Sequence, residues 1–401
     1  MSRNSIFREA FEVLAEIEAA GGEAYVVGGA VRDYLSGRPV GDIDIASSEP
    51  PERIQEIFDK VIPVGVEHGT VIVRYRSESY EVTTYRKEAT YSDFRHPDEV
   101  TFVRSISDDL ARRDFTINAM AMDRHGTIID PFNGREAVDA KRIEAVGDPV
   151  QRFREDPLRM MRAARFHSQL LYTLDKKTED ALKKEASMLR HISIERIAEE
   201  MRKLYAGEGY KESLQLLERT SLKQELPILQ GMELSTIIPS GRLVSWGELA
   251  AFLCLRSPEC TPAKFVKQWK LSNRIRREAD QLTEAFCTYQ EQNAIRPWLV
   301  YRLPFELFPS FSRLAAAEGT AQEQKVLSDL HALYEELPIK TLKEAAFQAE
   351  DLIAMFPDKK RGPWIADKMK AMEYEIVTGK LKNEYDAIKE WAVSWNPPVN
   401  D

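Results

Sequence analysis

The chain has 401 residues, 43% apolar and 30% charged, and its 56 basic against 65 acidic side chains give a net charge of −9. That length allows more than one domain with a buried core, and the acidic balance argues against a protein that coats nucleic acid indiscriminately. The longest unbroken apolar run, Leu249 to Leu255, is far too short to cross a bilayer, so no membrane partner is expected.

The chain opens on a helical pattern, with Ile6, Phe7, Phe11 and Leu14 on one face. Glu9, Glu12 and Glu16 make it unlike a secretory leader, and a cytoplasmic location is expected. A strand at Tyr25-Val26-Val27 then runs into Gly28-Gly29, a short helix around 30–36 and a second strand near 42–46 carrying Asp42 and Asp44. Alternation puts the two carboxylates on one face, about 7 Å apart, with Ile43 and Ile45 turned to the core. Two like charges so close are costly unless a cation lies between them, and hard oxygen ligands suit magnesium held together with a substrate's phosphates. The glycines let backbone approach a phosphate, Arg32 stands beside that position, and the following helix offers unpaired N–H groups. Singly, a Gly-Gly turn or an Asp-x-Asp strand edge is commonplace. In this order they predict a metal-dependent phosphoryl or nucleotidyl transfer site.

Strands follow near 69–75 and 79–85. Glu81 sits between Tyr80 and Val82, where a third carboxylate would complete a metal cage or accept a proton; plain alternation of an exposed Glu also accounts for it. A helix is expected around 51–59, further strands near 100–104, 116–122 and 143–146, and another helix around 134–140. Arg112-Arg113-Asp114 through Asn118 sets two cations and an acid before an apolar stretch. Arg113 suits a phosphate or sugar hydroxyl, and Asp114 with Asn118 suits a ribose; a salt-bridged turn is the plainer reading.

After Gly147 helical periods take over, with starts at Asp156-Pro157, Ser193, Thr261-Pro262 and Ser272. Asp156, Arg159, Arg162 and Arg165 recur every third residue beside Leu158, Met161 and Ala164. Three arginines so close repel one another, and a triphosphate would relieve them. Asp156 only accepts hydrogen bonds and Arg159 only donates. Cytosine and adenine both present an amino donor next to a ring-nitrogen acceptor, so this pair matches C and A and mismatches G and U. A second basic stretch holds Lys264, Lys267, Lys270, Arg274, Arg276 and Arg277 without an acid, which is either an RNA contact or a solvated helix face. Cys254, Cys260 and Cys287 contain no Cys-x-x-Cys pair and indicate neither a disulfide framework nor a zinc site.

On these residues the chain resembles the class II bacterial tRNA nucleotidyltransferases, the CCA-adding enzymes, of the polymerase-beta nucleotidyltransferase superfamily. Gly28-Gly29 with Asp42-Ile43-Asp44 corresponds to that family's metal-binding motif A, and Arg112-Arg113-Asp114 to its ribose-recognising motif B. Asp130-Pro131-Phe132-Asn133-Gly134 lies where the family has its head–neck hinge. Glu155-Asp156-Pro157-Leu158-Arg159 matches its protein-template motif D, and Ser193-Ile194-Glu195-Arg196-Ile197 its helix-stabilising motif E. The resemblance implies an α+β nucleotidyltransferase head with a mixed sheet over 1–146, followed by an all-α neck (147–210), body (211–300) and tRNA-binding tail (301–401). It implies a homodimer, and magnesium on Asp42 and Asp44. It also implies nucleotide contacts from Gly28, Gly29, Arg32, Arg113, Asp114, Asp156, Arg159, Arg162 and Arg165. The implied reaction adds C, C and A to the 3′ end of tRNA from CTP and ATP; a loop between Arg86 and Glu99 serves the switch to ATP in related enzymes. Partial (A-adding or CC-adding) relatives, a bacterial poly(A) polymerase and a non-catalytic RNA-binding module remain the alternatives.

Overall fold

The computed structural model describes residues 6–65, 69–88, 100–103 and 105–394. The implied ATP-switching loop falls, over 89–99, outside the described residues. Helix α1 (Arg8–Ala19) buries Ala10, Val13, Leu14 and Ile17, the i, i+3, i+4, i+7 spacing of one helical face. It leads to β1 (Ala24–Val27), α2 (Gly29–Leu35), β2 (Asp44–Ser47), α3 (Pro51–Ile57), β3 (Val61–Gly65), β4 (Thr70–Tyr75) and β5 (Glu78–Thr84). Next come β6 (Arg86–Glu88), β7 (Val100–Phe102), α4 (Ile106–Ala111), β8 (Ala121–Met122), β9 (Ile128–Ile129), α5 (Gly134–Asp139) and β10 (Arg142–Ile143).

Seven strands form one mixed sheet in the order β3-β4-β5-β2-β1-β8-β9, while β6 and β7 make a separate ribbon. Within the large sheet β2 runs parallel to β5; the other pairs are antiparallel. Period two decides which side chains face inward: Val71 and Val73 on β4, and Tyr80 and Val82 on β5, are buried, leaving Glu81 on the open side. Below the sheet Val27, Ala46, Tyr85, Ile106, Leu110, Ala119, Ala121 and Val146 form a core cluster.

The strand expected at 116–122 is split into a 3₁₀ turn over Thr116–Asn118 and the two-residue β8. The cause is local: Asp114 Oδ1 accepts from the Phe115 N–H at 2.8 Å and from Asn118 Nδ2 at 3.2 Å, a side-chain turn that competes with ladder pairing. Strands β3 and β9 carry too little alternation to be anticipated. One strand also lies beyond Gly147, because Thr173–Leu174 (β11) pairs in parallel with β10.

Apart from β11 the rest is helical. It begins with α6 (Pro149–Glu155), α7 (Leu158–Leu170), α8 (Lys176–Glu185), α9 (Ile194–Ala206), α10 (Tyr210–Arg219) and α11 (Leu234–Ile237). The chain divides into two compact units, Met1–Ile237 and Ile238–Asp401. The second contains α12 (Trp246–Arg256), α13 (Pro262–Gln268) and α14 (Asn273–Gln292), followed by further helices. Helix α13 starts as its sequence predicts, with Pro262 in the first turn and the Thr261 hydroxyl accepting from the Lys264 N–H at 3.2 Å. Ser193 and Ser272 occupy N-caps of α9 and α14 without a side-chain capping bond. Among the described residues no helix is long and apolar enough to cross a membrane.

Candidate active site

At the end of β1 the chain turns at Gly28 with φ 70° and ψ −130°, a conformation glycine adopts without a steric penalty. A Cβ there would come within 3.0 Å of Arg113 Nη1, so the absent side chain is also what lets this guanidinium lie against the turn. Next to it, a Cβ on Gly29 would stand 3.5 Å from Arg32 Nη2.

The sheet register brings the carboxylates to the same place. Val27 is opposite Asp44, and Asp44 is opposite Glu81 on the parallel neighbour, so the two acids are adjacent on one face. Asp42 does not share that strand: β2 begins at Asp44, and Asp42 is exposed two residues earlier. Ile45 is buried as expected, but Ile43, ahead of the first rung, is only half-buried. Asp44 is open to solvent at the strand end, yet the protein atoms crowding its carboxyl and the neighbouring Glu81 charge push it up to about 6; Arg113 pulls it down and Asp42 pushes it further up. Asp42, Asp44, Glu81 and Arg113 therefore share one electrostatic neighbourhood, negative beyond what Arg113 compensates. A divalent cation fits that charge. Among the described residues no three Asp, Glu, His or Cys side chains converge to hold an ion by themselves.

A ring gathers the arginines. Phe166 on α7 has the guanidinium carbons of Arg165, Arg162 and Arg32 at 4.2, 5.4 and 5.5 Å from its centroid, and Phe115 edge-on at 5.8 Å. Its π face offsets part of the repulsion among three like charges. Arg32 is further held by Asn118 Oδ1 at 2.7 Å and by both oxygens of Asp33 at 3.0 Å. Arg165 pairs with the buried Glu200 of α9 at 2.8 Å.

Asp114 is buried, and Arg162 approaches its Oδ2 at 2.6 Å. Burial alone would raise its pKa, but the Arg162 charge, the Asn118 amide, the Arg162 hydrogen bond and the Arg159 charge outweigh it and hold it at about 2. A carboxyl held below its ordinary value stabilises the fold above the unfolded pKa and loses that contribution as pH falls through the folded one. The shift corresponds to about 2 kcal/mol. The stability gap between wild type and Asp114→Asn, read by urea unfolding, should therefore narrow by most of that amount between pH 5 and pH 2.

Asp156 and Arg159 stand at the start of α7, joined through the main chain, where the Arg159 N–H donates to the Asp156 carbonyl at 3.0 Å, but with no bond between their side chains. Asp156 Oδ1 accepts from the Leu158 N–H at 3.1 Å and Oδ2 from Arg196 Nη2 at 3.0 Å. Arg159 donates from Nη1 to Glu155 Oε2 at 3.0 Å and from Nη2 to the Arg112 carbonyl at 3.0 Å. Of the residues that shape this site, Phe166, Arg196 and Glu200 were not among the sequence-derived site residues, whereas Asn118 was read from the sequence as a partner of Asp114. Arg196 and Glu200 lie four apart on α9, on the face packed against α7, a spacing that gave the only available signal.

This sheet with a glycine turn against a carboxylate strand defines a nucleotidyltransferase head. Residues 24–144 match the family model described as Poly A polymerase head domain. Residues 172–232 match that of a probable RNA and SrmB-binding site of polymerase A, and 245–392 a putative tRNA nucleotidyltransferase domain 2. The chain is similar to proteins named CCA-adding enzyme from Bacillus velezensis, 41% identical with 97% of this chain and 98% of that one covered, and Anoxybacillus flavithermus, with the same values. It also resembles the crystal structure of the Bacillus stearothermophilus CCA-adding enzyme in complex with CTP, 39% identical with a TM-score of 0.88 and 97% of each chain covered. The chain belongs to the CCA-adding enzyme family of tRNA nucleotidyltransferases.

Proposed function

We propose that this enzyme adds C, C and A to the 3′ end of tRNA from CTP and ATP, without a nucleic-acid template and with release of pyrophosphate. The observation that carries the reading is the Val27–Asp44–Glu81 register, which sets paired carboxylates beside the Gly28 turn. Asp42 and Asp44 would hold magnesium, which when bound neutralises charge on the nucleotide's phosphates and on the leaving pyrophosphate. Gly28 and Gly29 admit the triphosphate, and Arg32, Arg162 and Arg165 bind its charge. Arg113 and Asp114 orient the ribose, and Asp156 with Arg159 reads the base. The tRNA 3′-hydroxyl attacks the α-phosphorus, and Glu81, on the open side of the sheet, accepts its proton.

A tRNA surface is supported in the second unit by Lys264, Lys267, Lys270, Arg274, Arg276 and Arg277, all of them exposed. Arg274 and Arg276 meet Glu278 and Asp280 only at 3.7 and 3.6 Å. We assign 1–146 to a catalytic head, 147–210 to a neck, 211–300 to a body and 301–401 to a tail, in a cytoplasmic homodimer. The test is incubation with tRNA lacking CCA and each labelled nucleotide in turn. Two C residues followed by one A are expected; A alone, C alone or long A tails would reassign the enzyme to a partial adder or a poly(A) polymerase. RNA binding with no metal-dependent product would make it a binding module.

A further inference from the structure

Asp109 of α4 is 1% exposed and belongs to none of the motifs above. Its Oδ1 accepts from Arg112 Nε at 2.9 Å and, at 3.4 Å, from the backbone N–H of Arg86, two residues beyond β5. Its Oδ2 accepts from Arg113 Nη2 at 3.2 Å. Arg113's other bond, from Nη1 to the Asn118 carbonyl, is longer at 3.4 Å, and its Nε is buried without a partner. The Asp109 carboxylate is therefore the main anchor of a guanidinium that overhangs Gly28 and acts on Asp44. The same carboxylate fixes Arg112, whose carbonyl receives Arg159 Nη2 at 3.0 Å. Burial opposes ionisation of Asp109, but the Arg112 and Arg113 charges prevail and keep its pKa below the ordinary value.

We propose that Asp109 is a positioning residue for nucleotide transfer, holding Arg113 against the phosphate turn and, through the Arg112 main chain, Arg159 against the base. This rests on the roles given above to Arg113 and Arg159. One buried charge then couples the part of the site that grips phosphate to the part that chooses the base, and losing it should loosen both. A carboxylate that merely stabilised α4 would couple neither.

The test is steady-state addition to tRNA by Asp109→Asn, which keeps the shape and removes the charge. Expected are apparent KM values for CTP and ATP raised about tenfold, severalfold more U misincorporation, and a tRNA Kd within twofold of wild type. Leu110→Ala, at a fully buried apolar neighbour on the same helix and in the core cluster, supplies a destabilised control that keeps the Asp109 carboxylate. Equal KM changes in the two variants at matched Tm would overturn the proposal. Asp109→Glu, which keeps the charge but displaces it, should fold and show a smaller rise of about threefold; an unchanged KM there would overturn it even if Asp109→Asn failed to fold. Arg113→Ala separates the two levels. If it leaves nucleotide use intact, the site assignment itself falls; if it is crippled while both Asp109 variants behave as wild type, only this inference falls.

Discussion

Asp44→Asn should stop nucleotide addition while leaving the protein folded at least as firmly as before. The register places this solvent-open carboxylate beside Glu81, and the surrounding protein atoms with that neighbouring charge push its pKa up to about 6. The ionised side chain is thus held where the fold alone disfavours it, and the neutral isostere relieves that repulsion. The activity should move the other way. Losing a ligand to the cation that neutralises the phosphates costs about 4 kcal/mol of transition-state stabilisation, roughly a thousandfold in rate. Asp42→Ala should act in the same direction. The measurements are labelled CTP incorporation and thermal melting on the same preparations. Transfer at the wild-type rate in either variant would refute the metal assignment, and a large fall in Tm without loss of rate would make Asp44 a structural residue.

Much of this site was legible because each part follows a local rule. A glycine pair after an apolar strand, carboxylates two apart and an apolar–acid–apolar triplet depend only on backbone conformation and period-two alternation. The rule failed at Asp42, since alternation says nothing about where the first rung of a ladder forms. It failed again at 116–122, where an Asp114 turn displaces a strand that the apolar run favoured. The role of Phe166 was invisible for a different reason. Its three arginines come from two helices more than a hundred residues apart in sequence, and only the packing of α2 against the start of the helical region brings them to one ring. The same holds for Arg196 and Glu200: the chain shows their helical face but not that α7 is what it meets.

The double variant Asp156→Ala with Arg159→Ala should keep the enzyme active but blur its choice of base. The two side chains are held separately rather than neutralising each other: Asp156 by Arg196 and the Leu158 N–H, Arg159 by Glu155 and the Arg112 carbonyl. Each oxygen of Asp156 keeps a second lone pair, and the Arg159 fork keeps further N–H groups, so an acceptor and a donor remain to be matched. Both are largely shielded from water, with side chains 17% and 9% exposed, where a mismatched polar edge costs most. C and A satisfy both groups; U and G present a donor to the donor and an acceptor to the acceptor. Removing both partners should erase about 1–3 kcal/mol of discrimination, roughly fivefold to a hundred-and-fiftyfold in the ratio of kcat/KM for CTP over UTP. Arg196→Met should give part of that loss by freeing Asp156 alone, with Arg159 still anchored. Competition between labelled CTP and UTP on tRNA lacking CCA reads the ratio directly. A double variant that still prefers C and A as strongly as wild type would mean that base choice lies in the shape of the site and not in this pair.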